Sequence, residues 1–198
     1  MYTPKAFAES DWERIRRLIQ TNAFGTLVTF DGCRPEASHV PFLLDDERRL
    51  LSCHLAAANP QARRLAEGTE ALMMFQGPHA YVSPTWYENA GVPTWNYAAV
   101  HIYGRPEEME SEAELGRFVE QLAARYESAR ANPWRPEYPR RMLSAIRGFR
   151  VHITEVQGKF KLSQNRPAED RRNVMRRLPV EGGAMGMAVA ELMRERDE

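Results

Sequence analysis

Cysteine is scarce: Cys33 and Cys53 are the only two in 198 residues, and they are far apart in the chain. That excludes a small disulfide scaffold and fits a reducing compartment. No apolar run approaches the roughly 20 residues that a membrane-crossing helix needs. The start, Met1-Tyr2-Thr3-Pro4-Lys5, lacks the apolar stretch of a signal peptide. The expected address is the cytoplasm. Charge of one sign is missing too, because 27 Lys and Arg balance 27 Asp and Glu. A whole-chain nucleic-acid binder wants a basic footprint, so that class is weakened. There is no glycine-rich nucleotide loop and no Gly-x-Ser-x-Gly elbow. The five histidines form no metal-ligand spacing with each other or with the cysteines. The sequence therefore assigns no catalytic residue and no metal ligand.

What is present is a chain able to fold. About 43% of its residues are hydrophobic and 27% charged, enough for a real core. Ser10 and Glu13 have capping-box spacing, and Trp12, Ile15, Leu18 and Ile19 form one apolar face of a helix over 10–21. Phe24 to Phe30 reads as a strand and Asp31-Gly32 as a hairpin turn. Arg34 to Leu44 reads as the returning strand, with Pro41 marking an edge, a bulge or a break. Arg49 to Leu55 is the next strand. Asn59-Pro60 opens a helix that Gly68 ends.

Further on, Leu72 to Gln76 and His79 to Ser83 read as a pair of strands separated by Gly77-Pro78. Tyr97 to Arg105 is another strand, after a loop over 86–94. Ser111 and Glu114 cap a helix to about Ser128. Phe149 to Val156 and Gly158 to Leu162 read as strands paired across a turn. Two helices, over 168–178 and 184–196, close the chain. Six or seven strands in sequence-adjacent runs, with peripheral helices, point to an antiparallel barrel of the α+β class.

Three segments carry candidate chemistry. Residues 75–104 crowd His79, Tyr81, Trp86, Tyr87, Trp95, Tyr97, His101 and Tyr103 together. They make either an aromatic core or interface, or a concave site for a planar ring. His54 to Gln61 runs from a strand end into a helix start, where N–H groups and the helix dipole favour an anion such as phosphate. Lys159 to Arg166 is dense in hydrogen-bond donors. A fourth cluster, Arg171, Arg172, Arg176 and Arg177, is basic enough to touch DNA phosphates, but Glu169, Asp170 and the acidic tail dilute it.

Longer motifs point to a family. Met1 to Phe7, His54 to Gln61, Phe75 to Ser83, Val92 to Tyr97, Val100 to Gly104 and Lys161 to Arg166 resemble the PaiB-type FMN-binding negative transcriptional regulators. The resemblance runs from Met1 to about Leu178. It implies a split β-barrel of the pyridoxamine-phosphate-oxidase-like type over residues 1–166, a helical appendage over 167–198, and a homodimer with FMN at the subunit interface. It implies that the flavin lies against Ser38, His39, Val40 and Pro41, with its phosphate at His54, Leu55, Ala56, Asn59 and Gln61. The partner subunit would add Trp95, Asn96, Lys161, Gln164 and Arg166. The sequence departs from the pattern at Ala57, Ala58 and Ala62, where polar or aromatic groups are expected; Arg63, Arg64 or Lys161 would have to compensate. The family label implies a repressor with DNA as a partner. The alternative is an FMN-dependent oxidoreductase or flavin reductase using NAD(P)H, since flavin itself carries the redox chemistry.

Overall fold

A computed structural model describes residues 1–197. The first half of the chain is organised by local signals. Strand β1 is Ala8–Glu9 and helix α1 is Trp12–Thr21. The α1 cap is Asp11 rather than Ser10: its side chain accepts from the Glu13 N–H, one residue later than the sequence spacing suggested. Ile15, Leu18 and Ile19 form the buried face. Strands β2 (Phe24–Phe30) and β3 (Pro35–Pro41) follow as an antiparallel hairpin. Asp31 accepts from the N–H groups of Cys33 and Arg34, both at 2.8 Å, which closes the turn.

The expected long returning strand is broken after Pro41. Phe42 turns inward and is fully buried, edge-on to Phe75 with ring centroids 5.3 Å apart. The chain resumes as β4 (Leu43–Asp45) and pairs with β5 (Leu50–Ala56). Helix α2 (Pro60–Ala66) starts at the Asn59 cap and stops before Gly68, whose φ of 75° an L side chain rarely adopts.

Two expectations fail in the same way. Gly77-Pro78 does not interrupt the chain: β6 runs unbroken over Ala71–Val82. Its pairing with β2 covers only Leu72 to Met74, so the missing N–H of Pro78 costs nothing on that side. A Cβ on Gly77 would lie 3.0 Å from Leu18 and 3.2 Å from the Ala98 carbonyl. Likewise Gly158 makes no turn, because β8 is one strand over Ile146–Lys161. A Cβ there would stand 2.5 Å from the Glu9 carbonyl, where β1 pairs with β8. Both glycines mark close backbone approach and not chain reversal.

The remaining elements are β7 (Thr94–Glu108), α3 (Glu112–Glu127), α4 (Ala168–Glu181) and α5 (Gly183–Asp197). Ser111 caps α3 as its spacing suggested, accepting from the Glu114 N–H at 3.2 Å. The eight strands form one sheet in the order β3-β2-β6-β7-β8-β5-β4, with β1 on β8. The pairings of β1 with β8, of β2 with β3 and β6, and of β5 with β4 and β8 are all antiparallel. The architecture is thus α+β and mainly antiparallel.

The chain divides into two compact units. One comprises Met1–Asn22, Gln76–His101 and Gln157–Glu198; it holds α1, α4 and α5. Its buried apolar side chains include Leu18, Phe160, Leu162, Leu178 and Met193. The other comprises Ala23–Phe75 and Ile102–Val156 and holds α2 and α3. Its strands bury Leu27, Leu51, Met73, Phe75 and Phe149, and a satellite cluster forms around Leu115, Phe118, Leu122 and Leu143. Residues 167–198 fall entirely in the first unit. No described helix is long and apolar enough to cross a membrane.

Candidate functional site

The nine candidate residues from Ser38 to Gln61 lie in the second unit, and the five from Trp95 to Arg166 in the first. Each group has its own logic.

In the second unit, β3 alternates faces. Ser38 and Val40 turn inward, while His39 is exposed on the other side. His39 Nδ1 lies 3.1 Å from Thr26 Oγ1, directly across the hairpin. Pro41 ends β3 opposite Phe24. On the Ser38 face, Asn59 does two jobs. Its Oδ1 accepts from the Gln61 N–H at 2.9 Å, and its Nδ2 donates to Ser38 Oγ at 3.1 Å. Gln61 is 1% exposed. Its Nε2 donates toward the Leu27 carbonyl, Thr29 Oγ1 and the Glu36 carbonyl at 3.1–3.2 Å. Gln61 therefore ties the start of α2 to the β2–β3 hairpin. Its Oε1 is buried with no partner.

The anion-ready helix start is narrower than the sequence suggested. The N–H groups of Ala57, Asn59, Gln61 and Ala62 all donate within the chain. Helix α2 has only seven residues. Arg64 is engaged by Glu36 and by Asp31, the latter at 3.0 Å. Arg63, one turn after Asn59, is exposed. Leu55 is in the core, and Ala56 is exposed at the strand end. His54 points the opposite way from Leu55, edge-on to Phe118 with ring centroids 5.9 Å apart. Its Nδ1 is buried without a partner, and burial pulls its pKa below the ordinary histidine value.

In the first unit, Trp95 is 53% exposed, packed against Tyr81 and His79 at 6.0 and 6.3 Å between ring centroids. The expected aromatic crowd thus has an open face here. Asn96 faces the other way and is fully buried. Its Nδ2 donates to Ser163 Oγ at 2.9 Å and approaches the Met193 sulfur at 3.6 Å. Lys161 donates to Thr94 Oγ1 and to the Trp95 carbonyl at 2.5 and 2.7 Å. Burial lowers its pKa, and the charges of Lys159 and Arg166 lower it further. Gln164 closes the turn after β8, accepting from the Leu162 N–H and donating to the Phe160 carbonyl. Arg166 lies over the Tyr87 ring at 4.2 Å and donates to the Ala90 carbonyl.

Two residues in this unit carry no sign of their role in the sequence pattern. Asp170 is fully buried, and does not belong to a diluting acidic surface. Its Oδ1 accepts from the Glu88 and Asn89 N–H groups at 2.9 and 3.3 Å. Burial works to raise its pKa, but these donors and Arg166 outweigh it and hold the carboxyl low. Acids in the first turn of a helix, here Glu169 and Asp170, are common and do not mark which of them is buried. Ser163 is the other: it sits at φ 63°, where glycine or asparagine is the usual sign.

A family model described as "Putative FMN-binding domain" matches residues 1–155. The chain belongs to this FMN-binding family. It is 39% identical over 203 residues to "Protease synthase and sporulation protein PAI 2" of Bacillus subtilis (strain 168), covering 99% of this chain and 98% of that one. An uncharacterized Aspergillus fumigatus protein is 31% identical over 256 residues, covering 100% of this chain and 98% of its own. Among solved structures, a Mycobacterium smegmatis protein that binds FAD and heme matches with TM-score 0.66 at 19% identity, over 83% of this chain and 78% of its own. The flavocytochrome Anf3 of Azotobacter vinelandii matches with TM-score 0.65 at 15% identity, over 78% and 69%. The fold is the flavin-binding split barrel, and the cofactor of the family is FMN. The residues present fit such a group. Two buried polar atoms, His54 Nδ1 and Gln61 Oε1, lack partners, and a tryptophan ring with an open face suits a planar ligand.

Proposed function

We propose that this chain is an FMN-binding homodimer acting in the cytoplasm as a flavin-dependent negative regulator of transcription. Residues 1–166 are its split-barrel domain and 167–198 a helical appendage. One protomer holds the flavin with Ser38, His39, Val40, Pro41, His54, Leu55, Ala56, Asn59 and Gln61. The partner protomer adds its own copies of Trp95, Asn96, Lys161, Gln164 and Arg166. The observation that carries the reading is end-to-end similarity, at 39% identity, to the relative named "Protease synthase and sporulation protein PAI 2". Bound FMN would supply hydride and one-electron chemistry. The chain's own side chains position and shield. Asn59 and Gln61 brace the α2 start against the hairpin, Arg63 offers charge to a phosphate, and Lys161 fixes the backbone at Trp95.

A second reading is favoured by the charge pattern. The basic side chains of α4 are partly answered on their own helix. Arg172 stands 3.9 Å from Glu169, and Arg177 stands 3.4 Å from Glu181. That leaves little phosphate-binding footprint and supports an FMN-dependent oxidoreductase or flavin reductase using NAD(P)H.

Titration with FMN, followed by flavin fluorescence, tests the common core. Saturable quenching at one FMN per subunit is expected, with a dimer in sedimentation velocity. No binding at high flavin overturns both readings. A low-salt gel shift against NADPH turnover with added FMN then separates regulator from reductase.

A further inference from the structure

The first unit contains a cavity that neither reading uses. It lies between α1 and α5, with a volume of about 240 Å³. Its floor is Leu18, Pro78, Phe160, Leu162, Ala188 and Leu192. None of the fourteen candidate flavin residues lines it. An apolar cavity of about 150 Å³ holds benzene, and drug-sized pockets begin near 300 Å³. This volume suits a one- or two-ring molecule or a short acyl chain.

The mouth decides the ligand's charge. Five charged residues line it, and each is paired with an opposite charge, Arg14 and Arg196 sharing Glu9. Arg14 lies 3.5 Å from Glu9 and 3.7 Å from Asp11. Arg17 pairs with Glu195 at 3.0 Å, Arg196 with Glu9 at 2.7 Å, and Glu191 with Arg194 at 2.8 Å. An ionic ligand would find no uncompensated charge and would have to break a pair. A neutral one meets the apolar floor and the uncharged side chains of Thr21 and Asn22, and breaks no pair.

The position also gives the cavity a route to the flavin residues of the same unit. Phe160, near the end of β8, and Leu162, just beyond it, flank Lys161, and along a strand successive side chains point to opposite faces. Two face the cavity, and Lys161 holds Thr94 and Trp95 on the other side. Gln164 bonds the backbone of the same two cavity residues. Helix α5, the cavity's second wall, sends Met193 against Asn96.

We propose that the α1–α5 cavity is an effector site for a small uncharged aromatic or short-chain apolar molecule, and that its occupancy is coupled to flavin affinity. The coupling rests on the FMN reading; the binding site does not. Ligand binding to the cavity presses on β8 and α5, the two elements that position Lys161 and Asn96. By linkage, FMN changes the effector's affinity by the same factor.

The test uses the full chain and indole as probe, followed by ligand-observed NMR without FMN. Saturable binding is expected, with benzoate and benzylammonium at least about tenfold weaker. Ala188→Phe fills the cavity and should abolish indole binding. Leu192→Ala, which enlarges it, should admit naphthalene and serves if the first variant does not fold. Indole that fails to bind, or binds equally to Ala188→Phe, overturns the site. Binding that vanishes as protein concentration rises assigns the cavity to a contact between copies and also overturns it. With FMN present, the indole affinity should shift by about fivefold or more. Binding with no shift overturns the coupling. A chain that binds indole but no FMN overturns the flavin reading and leaves the site standing.

Discussion

The polar residues around α2 and those around the end of β8 look alike in sequence, yet they behave differently. In both regions an amide holds backbone carbonyls, but the cations differ: Lys161 and Arg166 hold carbonyls, whereas Arg64 is held by carboxylates. Around the end of β8 the pairing is complete for the candidate residues: Asn96, Lys161, Gln164 and Arg166 each have partners. Around α2, pairing stops short. Gln61 Oε1 and His54 Nδ1 are buried and unpaired, and His39 is exposed. Around the end of β8 the arrangement is a brace throughout; around α2 Gln61 Nε2 braces the hairpin while Gln61 Oε1 and His54 Nδ1 keep capacity for a ligand. A residue that touches FMN and one that shapes the surface for it can therefore share a composition.

Mutations sharpen that contrast. Asn96→Ala removes a buried amide, strands the Ser163 hydroxyl and opens a void, so it should cost about 3 kcal/mol in urea unfolding. Gln61→Ala leaves three acceptors without their donor and should cost about 2 kcal/mol by the same measurement. If the two variants exchange that order, the stronger brace lies at α2 instead.

The pH dependence probes the α2 side. Burial disfavours protonated His54, so its folded pKa lies below its unfolded value of about 6.5. The unfolded chain then binds more protons in the window just below 6.5. Stability should be fully present above that pH and fall as the pH drops through it. His101 is shifted the same way, by burial and then by the N-terminal charge. His54→Phe should flatten some of the slope in pH-resolved unfolding, and an unchanged slope would clear His54 of that role. The smallest stability effect is expected at His39. His39→Ala should stay within about 0.5 kcal/mol of the parent. Its FMN affinity should drop about fivefold, roughly the worth of one hydrogen bond. Equal loss of stability and affinity would erase the distinction between brace and binding surface.

Much of the fold was legible because its signals are local. The Asn59-Pro60 helix start, the Ser111 cap and the Phe24–Phe30 strand need only a few neighbouring residues to be recognised. Gly77-Pro78 and Gly158 misled because their meaning depends on what lies opposite, the Ala98 and Glu9 carbonyls. Asp170 was hidden for a related reason. A carboxylate reads as surface until a distant loop is seen to bring its N–H groups to it. Arg64 reads in sequence as available for phosphate, whereas in the fold Asp31 and Glu36 take up its charge.

By itself the sequence determined the α+β class and the Asn59 and Ser111 caps, which are written in short motifs and periodicities, while the resemblance of its longer motifs gave the family and FMN as the family's cofactor. Tertiary structure decided which of the donors remain free. It made braces of Gln61, Asn96 and Gln164, and it formed an apolar cavity from residues as far apart as Leu18 and Leu192. The physical reason is that a buried polar group must find a partner wherever the fold supplies one, and burial is a property of the whole chain.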